Sequence, residues 1–94
     1  MRTTNPAILA RLHDTDRAMR LVLFQRDDCA LCDQALGVLA AARAPEFASV
    51  WIDDDDALEA RYGARVPVLR DDSDGRELDW PFDPAAVAAF LRVP

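Results

Sequence analysis

The sequence predicts one α/β domain on a four-stranded mixed sheet flanked by helices, in the order β-α-β-α-β-β-α behind a short N-terminal extension. Three observations carry that prediction. Ninety-four residues with 51% apolar side chains supply one hydrophobic core and no second. Strand-like apolar runs alternate with segments of helical periodicity, the pattern of parallel strands joined by helical crossovers. Finally, the turn sequence Asp72-Ser73-Asp74-Gly75 separates two strand-like runs and folds them into a hairpin.

Residues 1–19 form the extension, and 20–94 the domain. Asn5-Pro6 reads as a cap and first-turn pair, and Ile8, Leu9 and Leu12 share a face, so a short helix is expected there. Met19 directly precedes the strongest strand signal and is one candidate start of natural translation, which the N-terminal mass of natively expressed protein decides. Leu21 to Phe24 is an uninterrupted apolar run, expected of a strand buried on both faces, and Gln25 to Asp28 end it. From Ala30 to Arg43, Leu31, Ala35, Leu36, Val38, Leu39 and Ala42 recur at three- and four-residue steps, predicting an amphipathic helix that stops near Pro45.

Phe47 to Ile52 reads as the second strand. Asp53 to Asp56 offer N-caps for a helix reaching about Tyr62, with Gly63 as its stop and Tyr62 capping the core beside it. Arg65 to Leu69 reads as a third strand containing Pro67, and Arg76 to Trp80 as its antiparallel return. The last helix starts at Asp83 or Pro84 and runs to about Arg92, with Trp80 and Phe82 packing at the hairpin or in the core. A right-handed crossover makes the first two strands parallel, and the hairpin adds an antiparallel edge.

Composition narrows the function. Eleven basic residues, all arginine, stand against 17 acidic ones for a net charge of −6, with no clustered basic footprint for a nucleic-acid backbone. No apolar run approaches the roughly 18–20 residues of a membrane span, and no secretory signal precedes the domain, so a cytoplasmic location is expected; a monomer is expected as well. The run Asp53 to Asp56 lacks the spacing and glycine of a calcium loop and reads as solvated capping residues. His13 is the only histidine and is expected at the surface, so a closed zinc site lacks ligands.

Cys29-Ala30-Leu31-Cys32 falls where the first strand passes into the first helix. In a cytoplasmic α/β domain that spacing points to a redox dithiol, with inert packed thiols and a metal-handling pair as the weaker readings. Cys29 at the helix start meets unpaired N–H groups and the positive end of the helix dipole, which favour thiolate. Cys32, one turn inward, is shielded and placed to resolve a mixed disulfide. Arg26 is expected to support the thiolate, against Asp27, Asp28 and Asp33. Proline inside a strand removes a ladder donor, so Pro67 suggests a cis Val66–Pro67 bond whose exposed backbone pairs with an extended substrate.

These residues, Arg26-Asp27-Asp28-Cys29-Ala30-Leu31-Cys32 followed later by Val66-Pro67, a hairpin and a helix, resemble a glutaredoxin of the thioredoxin superfamily. The resemblance covers roughly residues 20–92 and is strongest to short bacterial glutaredoxin-like proteins of unassigned function, which share the Arg-x-x-Cys-x-x-Cys entry and a segment like Trp80-Pro81-Phe82. It implies a thioredoxin-like fold, a cis Pro67 and Cys29 as nucleophile; Cys32 is expected as resolving thiol, and Val66, Pro67, Arg26 and Arg65 as the substrate-binding surface. It also implies glutathione as reductant and co-substrate; no bound cofactor or metal is expected. Two departures are visible: Ala30-Leu31 replaces Pro-Tyr between the cysteines, and Leu78 to Asp83 replaces the Gly-Gly-Asp cradle of the glutathione carboxylate.

The expected function is therefore that of a small thiol–disulfide oxidoreductase acting on protein or small-molecule disulfides. The contrasting reading is a non-catalytic module that binds a protein partner beside Val66-Pro67 and Trp80.

Overall fold

The computed structural model describes residues 20–92. The expected N-terminal helix and His13 lie outside the described residues. In chain order the elements are β1 (Leu21–Gln25), α1 (Ala30–Ala41), β2 (Ala48–Trp51), α2 (Asp56–Tyr62), β3 (Val68–Asp71), β4 (Arg76–Asp79) and α3 (Pro84–Arg92). They build one mixed sheet of order β2-β1-β3-β4. β1 runs parallel to β2 and antiparallel to β3, and β4 closes the hairpin with β3.

Every residue of β1 is buried, as its unbroken apolar run predicts. Leu21 and Leu23 face one side, where Ala35 and Leu39 of α1, Phe82, and Val87 and Phe90 of α3 complete an apolar cluster with Leu69. Val22 and Phe24 face the other side, with Ile52, Tyr62 and Val68. Gln25 is 1% exposed at the end of β1, and its amide donates to Ser49 Oγ at 2.7 Å, so its burial leaves no orphaned donor.

Capping chemistry sets the helix ends. The Asp55 carboxylate accepts from Leu58 N at 3.0 Å, and that of Asp83 from Ala86 N at 2.7 Å with Pro84 as first residue, which selects one cap from each predicted group. α1 stops at Ala41, before the expected Arg43, because Arg43 takes a left-handed φ of 56°. Ala44 N then reaches Leu39 O and Arg43 N reaches Ala40 O, both at 3.0 Å, satisfying two terminal carbonyls.

Two expectations need correction. The buried face of α1 is Cys32, Ala35 and Leu39, flanked by Val38 and Ala42, whereas Leu31 and Leu36 are 45% and 38% exposed. The apolar stripe therefore starts at Cys32, and Leu31 lies beside it. β3 begins at Val68, so Pro67 precedes the strand and removes no donor from the ladder. Gly63 ends α2 as expected, in a right-handed conformation with φ −54° and ψ −38°. A Cβ at that position would lie 2.5 Å from Glu59 O and 2.6 Å from Glu59 Oε1, so close approach requires the glycine.

Candidate active site

β1 ends at Gln25, whose carbonyl accepts from Ile52 N at 2.9 Å, and the chain leaves the sheet toward Cys29. Asp27 N donates to Asp53 Oδ2 at 3.1 Å, which ties this turn to the exit of β2. Asp28 adopts a left-handed φ of 51°, a conformation that aspartate and asparagine tolerate better than most residues. Cys29 follows as the N-cap of α1, and its Sγ accepts from Cys32 N at 3.1 Å, the position a serine or aspartate oxygen takes in most caps.

Cys29 and Cys32 are joined by a disulfide, with Cα atoms 5.2 Å apart, inside the range such bridges span. Cys29 is half-buried, while Cys32 is 1% exposed and belongs to the buried face of the helix. Attack from solvent therefore reaches Cys29. Leu31, between them, is exposed.

The antiparallel register pairs Phe24 with Val68. It places the turn that follows β1 and the segment that precedes β3 at the same end of the sheet, so the cysteines and Val66-Pro67 share that end. The Val66–Pro67 peptide bond is cis, Pro67 is fully buried and Val66 is partly exposed. Val66 N donates to Tyr62 O at 3.0 Å. Its N–H is committed within the protein.

Arg26 and Arg65 are committed as well. The Arg26 guanidinium forks onto the Glu59 carboxylate and donates a further bond to Gly63 O at 2.9 Å, clamping the β1–α1 turn to α2. Arg65 donates to Glu77 Oε1 at 2.6 Å and Asp79 Oδ1 at 2.7 Å, and lies 5.2 Å from the centre of the Tyr62 ring. The hydrogen bonds it donates to Asp79 first, and to Glu77 second, hold Arg65 all the more firmly protonated. The cationic support expected at Cys29 is thus spent on carboxylates, while Asp27, Asp28 and Asp33 stay exposed around the turn.

A polar centre that sequence reasoning missed surrounds Tyr62. This ring stacks on Phe24 at 4.1 Å, its hydroxyl donates to Glu77 Oε2 at 2.7 Å, and it accepts from Arg70 Nη1 at 3.0 Å. Burial first, and the bond to Glu77 second, raise the phenol above its ordinary value. Burial would also raise Glu77, but hydrogen bonds from Arg65 and Tyr62 outweigh it and hold that carboxyl below its ordinary value. No local pattern marks these partners; only the β3–β4 register, which pairs Arg70 with Glu77, brings them together.

At the start of α3, Pro81, Phe82, Asp83 and Ala86 line a shallow groove, and the Trp80–Pro81 bond is also cis. Trp80 meets the buried Phe82 edge-on at 5.0 Å, so both rings serve packing as expected. Among the described residues no three His, Cys, Asp or Glu side chains converge as metal ligands, and no helix is long and apolar enough to cross a membrane.

A four-stranded sheet of this order with a Cys-x-x-Cys pair capping its first helix defines a thioredoxin-like domain. The particular branch follows from sequence: residues 20–92 match the Glutaredoxin-like domain (DUF836), and the chain belongs to that family. The X-ray structure of XcR50 from X. campestris is similar at a TM-score of 0.75, with 64% identity over 79% of this chain and 99% of that one. The solution structure of Ne2328 from Nitrosomonas europaea has a TM-score of 0.64 and 28% identity, covering 74% of this chain and 87% of its own. No curated protein matches the chain significantly.

Proposed function

We propose that this protein is a thiol–disulfide oxidoreductase in which Cys29 and Cys32 cycle between dithiol and disulfide. The observation that carries the reading is the placement of the two sulfurs: Cys29 partly exposed at a helix N-terminus with an N–H directed at its Sγ, Cys32 buried one turn inward and bonded to it. An N–H donor and the helix dipole both favour thiolate at Cys29. That thiolate attacks a substrate disulfide, forms a mixed disulfide and expels one substrate thiolate. Cys32, deprotonated in turn, attacks Cys29 sulfur, forms the internal disulfide and expels the second substrate thiolate. Two electrons pass to substrate, and an external thiol reductant, glutathione being one, restores the dithiol.

Val66 and Pro67 would flank the incoming chain. Because Val66 N–H is bonded to Tyr62 O, the carbonyl is the group that remains to pair with an extended substrate. Arg26 and Arg65 would shape this surface through the turns they clamp. The proposed setting is the cytoplasm, where a reducing thiol pool supports the cycle.

Intact mass after thiol trapping, across dithiothreitol and glutathione redox buffers, tests the proposal. One reversible two-electron step is expected, with a mixed disulfide retained on Cys29 in Cys32→Ser and none in Cys29→Ser. Thiols that stay reduced throughout would overturn it and leave the non-catalytic binding module.

A further inference from the structure

Resting on that redox reading, we infer that the mouth of the Cys29–Cys32 pair selects positively charged disulfides and disfavours anionic ones, oxidised glutathione among them. The reacting sulfur supplies the site, and the charges fixed around it set the preference. Asp27 and Asp28 immediately precede Cys29, Asp33 lies in the first turn of α1, and Asp53 is held at the same turn by Asp27 N. Consecutive Cα atoms are about 3.8 Å apart and a helical turn rises about 5.4 Å, so the first three sit within about one Debye length of the sulfur at 0.1 M salt.

The three arginines toward this end of the sheet, Arg26, Arg61 and Arg65, do not offset them. Arg26 is neutralised by Glu59, Arg65 is shared between Glu77 and Asp79, and Arg61, in the last turn of α2, is turned to Glu77 at 3.5 Å. Arg43, Arg76 and Arg92 stand toward the other end, after α1, at the hairpin and in the last turn of α3. The α1 N-terminus opposes the carboxylates with only about half a positive charge. A cationic group beside a substrate disulfide is therefore drawn to Cys29, and a carboxylate beside it is repelled, as field effects on encounter require.

The test is single-turnover oxidation of the reduced protein by cystamine, hydroxyethyl disulfide and oxidised glutathione, which carry positive, zero and negative charge. Each rate is read by acid quench, alkylation and mass, and divided by that of dithiothreitol with the same disulfide to remove intrinsic reactivity. Cystamine is expected to exceed oxidised glutathione by about tenfold at roughly 10 mM ionic strength, and the preference to shrink at least about threefold at 0.5 M salt. Peptide disulfides flanked by lysine or by glutamate should repeat the order if the partner is a protein segment.

Asp28→Asn with Asp33→Asn should slow cystamine and speed oxidised glutathione. A mere change in thiolate fraction would move all three disulfides together, and asparagine keeps the left-handed conformation of residue 28 accessible. Equal normalised rates, a preference for oxidised glutathione, or a preference unmoved by salt and by the double substitution would overturn the inference. Inertness toward all three, with both thiols accessible to iodoacetamide, would instead remove the redox reading on which it rests.

Discussion

On the side of the sheet covered by α1 and α3, the buried cluster of Leu21, Leu23, Ala35, Leu39, Leu69, Phe82, Val87 and Phe90 is wholly apolar. On the α2 side, Val22, Phe24, Ile52 and Val68 share their cluster with a tyrosine, whose hydroxyl lies in a mesh of Glu77, Arg65 and Arg70. The difference follows from helix length. Residues 56–62 make a helix about 10 Å long, too short to roof four strands spaced about 4.8 Å apart, so guanidinium stems and one large ring cover what aliphatic side chains cannot. One face draws its stability from area removed from water, the other also from hydrogen bonds and ion pairs among Tyr62, Glu77, Arg65 and Arg70.

Leu23→Ala is the severest way to break the comparison. Leu23 is 0% exposed and its removal opens a cavity on the two-helix side, so a loss of about 2–5 kcal/mol is expected in urea melts. Gly63→Ala should cost about 1–3 kcal/mol on the other side, because its methyl group meets the Glu59 carbonyl and carboxylate that Arg26 holds in place. Tyr62→Phe keeps the ring on Phe24 but removes the hydroxyl that bonds Glu77 Oε2 and Arg70 Nη1, leaving Glu77 to Arg65 and Arg70 to Asp72, and should cost about 1–2 kcal/mol. Costs below about 0.3 kcal/mol for both α2-side variants would erase the distinction drawn between the faces.

A pH series sharpens it. Glu77 is held below its ordinary value in the folded protein, so it contributes stability above the unfolded-state value and loses it as pH falls through the lowered folded one. Glu77→Gln should therefore destabilise the protein at pH 7 and lose that effect toward pH 3 in paired urea melts, whereas Leu23→Ala keeps its cost at both. The smallest expected change has the opposite sign. Gly37 lies within α1 with open space around its α-carbon, and Gly37→Ala should stabilise by about 0.5–1 kcal/mol in thermal melts.

These contrasts also mark how far the sequence could be read. The order of elements was legible because each is announced locally: the apolar run of β1, the aspartate caps of α2 and α3, and the Asp72 to Gly75 turn, where Gly75 takes φ 79°. The cysteine pair was legible for the same reason, since a spacing of three residues fixes both ends of one helical turn. The α2-side mesh was not. Tyr62 and Glu77 are fifteen residues apart, Arg26 and Glu59 thirty-three, and such partners leave no periodic trace. Arg26 and Arg65 are expected at the substrate surface, and only the fold shows that each guanidinium is bound to carboxylates. Leu31 fitted a helical stripe on paper, but Cys32 occupies the buried position instead.

The sulfur that caps α1 also gives the protein its own reporter. The Cys32 amide donates to Cys29 Sγ, so whatever happens at that sulfur alters the partner of a single backbone hydrogen. A thiolate accepts more strongly than a disulfide sulfur, and an alkylated one is displaced. Deuterium uptake at the Cys32 amide should therefore slow on reduction and quicken on modification, reading the chemical state of Cys29 from inside the helix without a dye, a label or a substrate.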